Sequence, residues 1–400
     1  MNRALMPVEE ALAQLLALAE AAPIVEVEQV ALADAEGRVL AEELVAGLDL
    51  PPWPNSAMDG YALRLADWQG EPLPVSQRIF AGHAPQSLEP GTCARIFTGA
   101  PLPPGADCVE MQENAEVQAD QRVRFTESLR VGQNIRPQGQ EARKGESVLA
   151  AGTRLGPIEL GLAATLGFAE LTVVRRVKVA VLSTGDELVE PGLPLGAGQI
   201  YNSNRRLLVS WLQRLGCEVI DAGILADDMQ KTRDCLAGLQ HVDLILSTGG
   251  VSVGEADYLG LALREAGEIA LWKLAIKPGK PLTFGHYNGV PVIGLPGNPA
   301  STLVTFGLLT RPYLLRRQGV VDVTPLQFAV PAGFDWPVAG NRREYLRARL
   351  EQGQALIYKN QNSGVLRSAA WAEGLVEVRE GTTPARGDTV QFIPLSELLG

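Results

Sequence analysis

The apolar run Leu244-Ile245-Leu246 leads straight into Ser247-Thr248-Gly249-Gly250-Val251-Ser252-Val253-Gly254. Paired glycines let a backbone turn tightly and aim several N–H groups at one point. A helix starting just beyond would add its positive end. Such a loop suits a phosphate group, although a plain strand-to-helix turn can carry the same glycines. Gly254-Glu255-Ala256-Asp257-Tyr258 follows at once, and carboxylates beside a phosphate cradle suit a bridging Mg2+.

A second loop, Leu295-Pro296-Gly297-Asn298-Pro299-Ala300-Ser301, also falls between a strand and a helix. Pro299 fits a first helical turn and Asn298 could cap it. Alone it reads equally well as a rigid turn; with the glycine loop at the same sheet edge it favours a ligand crevice. Between the two loops, Lys273, Lys277 and Lys280 alternate with apolar residues and enter a Pro-Gly-Lys-Pro turn. A lysine run is usually a solvated strand face. In a chain of formal net charge −11, three compact cations between two glycine loops point to oxyanion binding. Ser183-Thr184-Gly185-Asp186-Glu187-Leu188 and Asp227-Asp228 each put acids after a strand, where they could ligate Mg2+ or cap a helix. Pro54 to Ala62, with Asp59, and Arg95 to Pro103, with Thr98, read from their residues alone as turns.

The elements that must position these groups follow from periodicity. The chain has 400 residues, 46% hydrophobic and 20% charged, which fits a globular protein of several domains. A helix is expected over Val8 to Ala21, then a short strand at Ile24–Val27. Residues 61–136 show short apolar runs between Gly and Pro, the pattern of a β-rich module, and Pro157 opens a helix to Leu166. From Val177 strands and helices alternate: strands at 177–182, 218–220, 242–246 and 290–295, helices at 204–215, 229–239, 258–266 and 300–315. This alternation implies a doubly wound, mainly parallel α/β domain with ligands at the carboxyl ends of its strands. Val323 to Leu398 reads as a small all-β domain. The four cysteines form no CxxC pair and the three histidines are dispersed, which argues against a zinc site and for buried thiols in a reducing compartment. The acidic balance argues against nucleic-acid binding. No apolar run is long enough for a membrane span and the first residues lack a signal-peptide pattern, so the expected location is the cytoplasm.

Taken together, Asn55 to Ala62, Ile96 to Pro101, Ser183 to Leu188, Gly198 to Asn204, Gly249 to Tyr258, Lys273 to Pro281 and Leu295 to Pro299 resemble the molybdopterin molybdenumtransferase family, MoeA and the gephyrin E domain among them. The resemblance spans nearly the whole chain. It implies four parts: a discontinuous linker domain (1–47 with 141–176), an inserted β-rich domain (48–140), a molybdopterin-binding α/β domain (177–321) and a C-terminal β-barrel-like domain (322–400). It implies a reaction in which adenylylated molybdopterin and molybdate yield molybdenum cofactor and AMP with Mg2+. It also implies a homodimer whose active site is shared between subunits, and transient contact with molybdopterin adenylyltransferase and molybdoenzyme maturation factors.

The resemblance assigns Asp59, Thr98, Arg136, Glu141, Glu187, Asp227, Asp257, Lys273, Lys277 and Arg347 to catalysis. It assigns Ser247, Thr248, Gly249, Gly250, Ser252, Gly254, Lys280, Pro296, Gly297, Asn298, Pro299 and Ser368 to substrate binding, and Glu187, Asp227 and Asp257 to the metal. The sequence departs from the family pattern after Asn134-Ile135-Arg136, where Gly139-Gln140-Glu141 stands for the usual Gly-Glu-Asp. The carboxylate is kept, one methylene longer. Two other readings remain: a non-catalytic dimeric scaffold that binds a partner peptide, and a molybdopterin adenylyltransferase. The acids Asp59, Glu187 and Asp257, which a scaffold could lose, are all present, and the β-rich and C-terminal domains are extra to an adenylyltransferase.

Overall fold

A computed structural model describes residues 5–249, 258–266 and 269–399. The chain forms two compact units: Met1–Glu42 with Ala151–Pro157 and Glu170–Gly400, and Glu43–Ala150 with Ile158–Ala169.

The larger unit is built on a six-stranded sheet. Its order is Glu218–Leu225, Lys178–Thr184, Leu244–Thr248, Val290–Leu295, Pro281–Tyr287, Ile269–Lys273. The first four are parallel, and the last two join antiparallel. Alternate residues of each run feed two separate cores. Val179, Val181, Leu244, Leu246, Ile293 and Leu295 enter one, with Leu15 of helix Val8–Ala21 and Trp211 of helix Ser203–Arg214. Ala180, Leu182, Ile245 and Val292 enter the other, with Leu236, Leu259 and Leu263. Burial on both faces is why these strands read as unbroken apolar runs. From Lys178–Thr184 the chain crosses to one neighbour, Glu218–Leu225, and then back to the other, Leu244–Thr248. The switch point of the sheet therefore lies between the ends of the Lys178–Thr184 and Leu244–Thr248 strands, where such sheets leave a crevice.

Two expectations change. The strand read at Ile24–Val27 runs instead over Val27–Ala31, paired with Glu170–Val174, while Ile24 is buried in the main core and its N–H bonds the Arg317 carbonyl. Pro281–Tyr287 is a strand that periodicity did not suggest. Its neighbour Val290–Leu295 fixes its register through a tight Asn288-Gly289 turn, both residues having positive φ.

The C-terminal strands Phe328–Pro331, Thr389–Pro394, Gly374–Val378, Arg343–Glu351 and Gln354–Ile357 pair in that order. A bridge from Ala332 to Ala355 closes the ring, around Leu346, Val376 and Phe392. Ile276–Lys277 leaves the α/β sheet and pairs with Arg343–Glu344. In the smaller unit, Val75–Ile79, Cys93–Ile96, Gly60–Leu63 and Cys108–Met111 form a sheet in that order, with an apolar cluster on each face. Among the described residues no helix is long and apolar enough to cross a membrane.

Candidate functional site

Gly249 follows Thr248 at the switch point. Its φ is +81° and its N–H reaches the Leu295 carbonyl at 3.3 Å. A Cβ there would meet the Thr184 carbonyl oxygen at 2.8 Å, so the ends of two neighbouring strands leave room for glycine alone. Ser183 and Thr248 hydroxyls lie 3.0 Å apart beneath it. Ser247 is buried and its Oγ has no partner among the described residues. Gly250, Ser252, Gly254 and Asp257 lie outside the described residues.

The 296–299 loop faces Gly249, a Cβ on Gly297 standing 4.0 Å from the Gly249 Cα. Side chains from two helices hold the loop: Asn204 Nδ2 donates to the Gly297 carbonyl at 2.7 Å, and Thr302 Oγ1 to that of Pro296 at 2.7 Å. Pro299 opens helix Pro299–Thr305 as expected. The expected cap does not form. The Asn298 side chain makes no cap bond because the Ala300 N–H it would receive donates to the Ser363 carbonyl at 2.9 Å. The C-terminal barrel thus caps this helix by backbone and leaves the Asn298 amide exposed.

The acids gather at the adjacent strand ends. The Asp186 carboxylate accepts the Asp227 N–H at 3.1 Å. Burial, then the charges of Asp186 and Glu187, hold the Asp227 carboxyl above its ordinary range. A Cβ on Gly185 would collide with the Glu187 carboxylate. Asp228 takes the other of the two roles its sequence allowed: it caps helix Met229–Gly238 through the Lys231 N–H at 2.8 Å. Among the described residues no three His, Cys, Asp or Glu side chains form a ready-made metal cage.

The lysines do not share one element. Lys273 ends the edge strand, exposed. Lys277 pairs with the buried Glu344 at 3.0 Å, and Lys280 is exposed beyond it. Arg347 is 1% exposed. Its guanidinium donates to Ser368 Oγ at 3.1 Å and to the carbonyls of Tyr345 and Asn362 at 3.3 Å. Burial pulls it down to about 10, and among the described residues no carboxylate neutralises it. Since Ser363 next door caps the 299 helix, Arg347 and Ser368 are tied to the 296–299 loop.

In the smaller unit, the two strings that read as separate turns are knitted together and to residues 134–136. Gly99 N–H bonds Ser56 O at 2.8 Å, Ser56 N–H bonds Ala100 O at 3.0 Å and Ala57 N–H bonds Asn134 O at 2.9 Å. Ile135–Arg136 pairs with Asn55–Ser56. Asp59 accepts from Thr98 twice, N–H at 2.8 Å and Oγ1 at 3.0 Å. These bonds, and the charge of Arg95, hold its carboxyl below the usual range. Arg136 and Glu141 are exposed, Glu141 with its N–H on Leu50 O. Sequence reasoning missed Asn204, Glu344 and Arg95 as positioning groups, and named Asp186 as a metal ligand or helix cap rather than as the acceptor of the Asp227 N–H. The Gly198–Asn204 string signalled Asn204, and the spacing Arg95–Phe97 signalled a shared strand face.

Three family models match in order: the MoeA N-terminal region (domain I and II) over residues 6–167, the probable molybdopterin binding domain over 180–316, and the MoeA C-terminal region (domain IV) over 329–395. The chain belongs to the molybdopterin molybdenumtransferase family. A protein of that name from Haemophilus influenzae is 40% identical over 384 residues, 93% of this chain and 95% of the relative. Molybdopterin molybdenumtransferase 2 of Mycobacterium tuberculosis is 37% identical over 90% of this chain and 93% of its own length. The crystal structure of the molybdopterin biosynthesis MoeA protein of Pyrococcus horikoshii superposes with a TM-score of 0.83 at 29% identity, covering 98% of this chain and 100% of that one. Molybdopterin molybdenumtransferases are enzymes of molybdenum cofactor biosynthesis. The segment holding Gly249, Asp227 and Gly297 falls wholly within the matched molybdopterin-binding region.

Proposed function

We propose that this chain inserts molybdenum from molybdate into adenylylated molybdopterin, with Mg2+, releasing AMP and forming molybdenum cofactor. The observation that carries the reading is the approach of Gly249 to both Thr184 and Gly297: two strand-end loops meet at the switch point of a sheet within the molybdopterin-binding match. Gly249 opens one wall, with Ser247 and Thr248 buried beneath it, and Gly250, Ser252 and Gly254, which lie outside the described residues, are proposed as the phosphate-binding continuation of that loop. Pro296, Gly297, Asn298 and Pro299 line the other, the free Asn298 amide offering both a donor and an acceptor.

Cleaving the phosphoanhydride of the adenylate needs positioning and charge rather than a covalent nucleophile. Lys273, Lys280 and Arg136 supply charge for phosphate and molybdate oxygens, and Lys277 does so only where an oxyanion competes with its Glu344 partner. Arg347, a buried cation without a carboxylate, suits molybdate, with Ser368 beside it. Asp59, ionised at neutral pH on the Thr98 bonds, positions the incoming oxyanion or water, and Glu141 keeps a carboxylate near Arg136 in sequence.

Glu187, Asp227 and Asp257 are the groups proposed for Mg2+. Burial raises Asp227 first, and the repulsion from Asp186 and Glu187 adds to it; a divalent cation relieves that repulsion. Mg2+ commonly takes one or two carboxylates and completes its shell with phosphate oxygens and water, so the lack of a three-acid cage among the described residues fits a metal that arrives with its nucleotide. When bound, it neutralises charge on the phosphates.

A homodimer is proposed, with Asp59 and Thr98 serving the site of the partner subunit, together with transient contact with the adenylyltransferase and with molybdoenzyme maturation factors. The test supplies adenylylated molybdopterin, molybdate and Mg2+ and follows AMP release. No AMP above background refutes the proposal. Asp59→Asn suppresses turnover with the dimer intact on sedimentation; normal turnover by that variant removes Asp59 from the mechanism.

A further inference from the structure

Across the sheet of the smaller unit, one row of side chains runs in register: Arg78, Arg95, Tyr61 and Glu110. Residues two positions apart on a strand share a face. Phe97 lies two beyond Arg95, just past the end of strand Cys93–Ile96, and Asp59 two before Tyr61, in the bend that leads into strand Gly60–Leu63. The strand ends therefore bring the two segments together, and the Thr98 bonds set the Asp59 carboxylate beside them.

The contacts tighten this relation. The Arg95 guanidinium carbon lies 5.0 Å from the centre of the Tyr61 ring and 4.7 Å from that of Phe97, a cation held against two aromatic faces. Phe80 stacks on Phe97 at 4.7 Å and 8°, which fixes the residue before Thr98. One Arg95 nitrogen donates to the Gly60 carbonyl at 3.0 Å and another to Gln112 Oε1 at 2.5 Å. The Gln112 N–H in turn donates to the Asp59 carbonyl at 3.0 Å. Arg95, Gly60, Asp59 and Gln112 thus form a closed ring of contacts around the peptide that carries the Asp59 carboxylate. Gly60 admits no side chain, because a Cβ there would collide with the Glu110 carbonyl. Among the described residues Arg95 makes no ion pair, so its charge is not spent on a salt bridge and acts on Asp59.

We propose that Arg95 is the positioning residue of the Asp59–Thr98 pair: it fixes the two carbonyls that follow the Asp59 side chain, that of Gly60 directly and that of Asp59 through Gln112, and keeps that side chain aimed at Thr98. The proposal rests on the role of Asp59 given under Proposed function. Two acceptors at fixed angles and two ring faces require a planar, forked cation, which arginine provides and lysine does not.

The test uses the full chain with Arg95→Met and Arg95→Lys. Two quantities are read: the carboxyl 13C titration of Asp59, assigned with Asp59→Asn, and kcat and KM for AMP release. In Arg95→Met the Asp59 titration moves to higher pH, and kcat falls about 10- to 100-fold as the pair loosens. In Arg95→Lys the charge keeps the titration near that of the unmodified chain while kcat still falls, because the fork is lost. An unmoved Asp59 titration in Arg95→Met overturns the proposal whatever turnover does. Unchanged kcat in Arg95→Lys overturns it as well, and serves should the methionine variant not fold. Normal turnover by Asp59→Asn would instead refute the role of Asp59, while the titration still decides whether Arg95 acts on it.

Discussion

Replacing Gly249 with alanine puts a Cβ 2.8 Å from the Thr184 carbonyl oxygen and 3.3 Å from its hydroxyl, on a backbone whose φ is +81°. Holding an L-residue in the left-handed region costs about 1–2 kcal/mol. Overpacking against an immovable strand end adds about 1–3 kcal/mol. The obstacle is backbone in the middle of a sheet, so the strand will not yield; the loop must. If the loop stayed in place, the strain would appear as lost stability, at about 2–4 °C of Tm per kcal/mol for a domain of this size. If it swings away from Thr184, strain is relieved and phosphate binding suffers. The expected result for Gly249→Ala is a drop in Tm below about 5 °C with kcat/KM for AMP release down about 10- to 100-fold. Gly297→Ala is the stability control. It has no positive φ, and its nearest neighbour would be the Gly249 Cα at 4.0 Å, so its Tm stays within about 2 °C of the unmodified chain. Wild-type kcat/KM in Gly249→Ala refutes the cradle.

Other outcomes follow from the charges and thiols. Asp227 is raised by burial and by Asp186 and Glu187, so ionising it costs the folded state more than the unfolded one. Asp227→Asn is therefore more stable than the unmodified chain at pH 7. That advantage disappears as the pH falls through the raised folded value toward the ordinary one; thermal melts across pH check the sign. Mg2+ added together with AMP raises Tm less in Asp227→Asn than in the unmodified chain, and equal responses remove Asp227 from the metal. Arg347→Met removes a buried, uncompensated cation. It changes stability by less than about 2 kcal/mol while the molybdate KM rises about tenfold or more, read in the AMP assay. Burial pushes the thiols of Cys93 and Cys217 up to about 12 and that of Cys108 to about 11. Iodoacetamide at pH 8 labels Cys235 first, because it is the half-exposed thiol and thiolate, not thiol, reacts; peptide mapping by mass spectrometry reads the order.

Periodicity revealed Val8–Ala21, Tyr258–Ala266 and Val290–Leu295 residue for residue, because each buries one face or both against a continuous core. It failed at Pro281–Tyr287, where an initial proline and an internal glycine mask a strand that only its antiparallel neighbour holds in place. At the site, the glycine loop was legible because positive φ and close approach leave a compositional mark. Partners were not. Nothing near Lys277 in sequence announces Glu344, and nothing near Asn298 announces that the Ser363 carbonyl takes its cap. Both meet only when the barrel folds against the sheet. Asp59 and Thr98 are 39 residues apart and read as idle turns until a sheet sets them side by side.

The segment between Lys273 and Pro281 has a consequence for how this protein can be taken apart. The chain leaves one sheet at Lys273, adds Ile276–Lys277 to the other, and returns at Pro281. The C-terminal barrel is therefore sewn to the α/β sheet by a stitch that precedes it in sequence, besides the link through residues 318–327. It is not a removable cassette. A fragment starting at Val321 would expose the Arg343–Glu351 strand where Ile276–Lys277 had covered it, an open edge prone to pair with other chains. A chain cut before Val321 would keep a strand with nothing to pair with. In this chain the two modules are therefore to be engineered together.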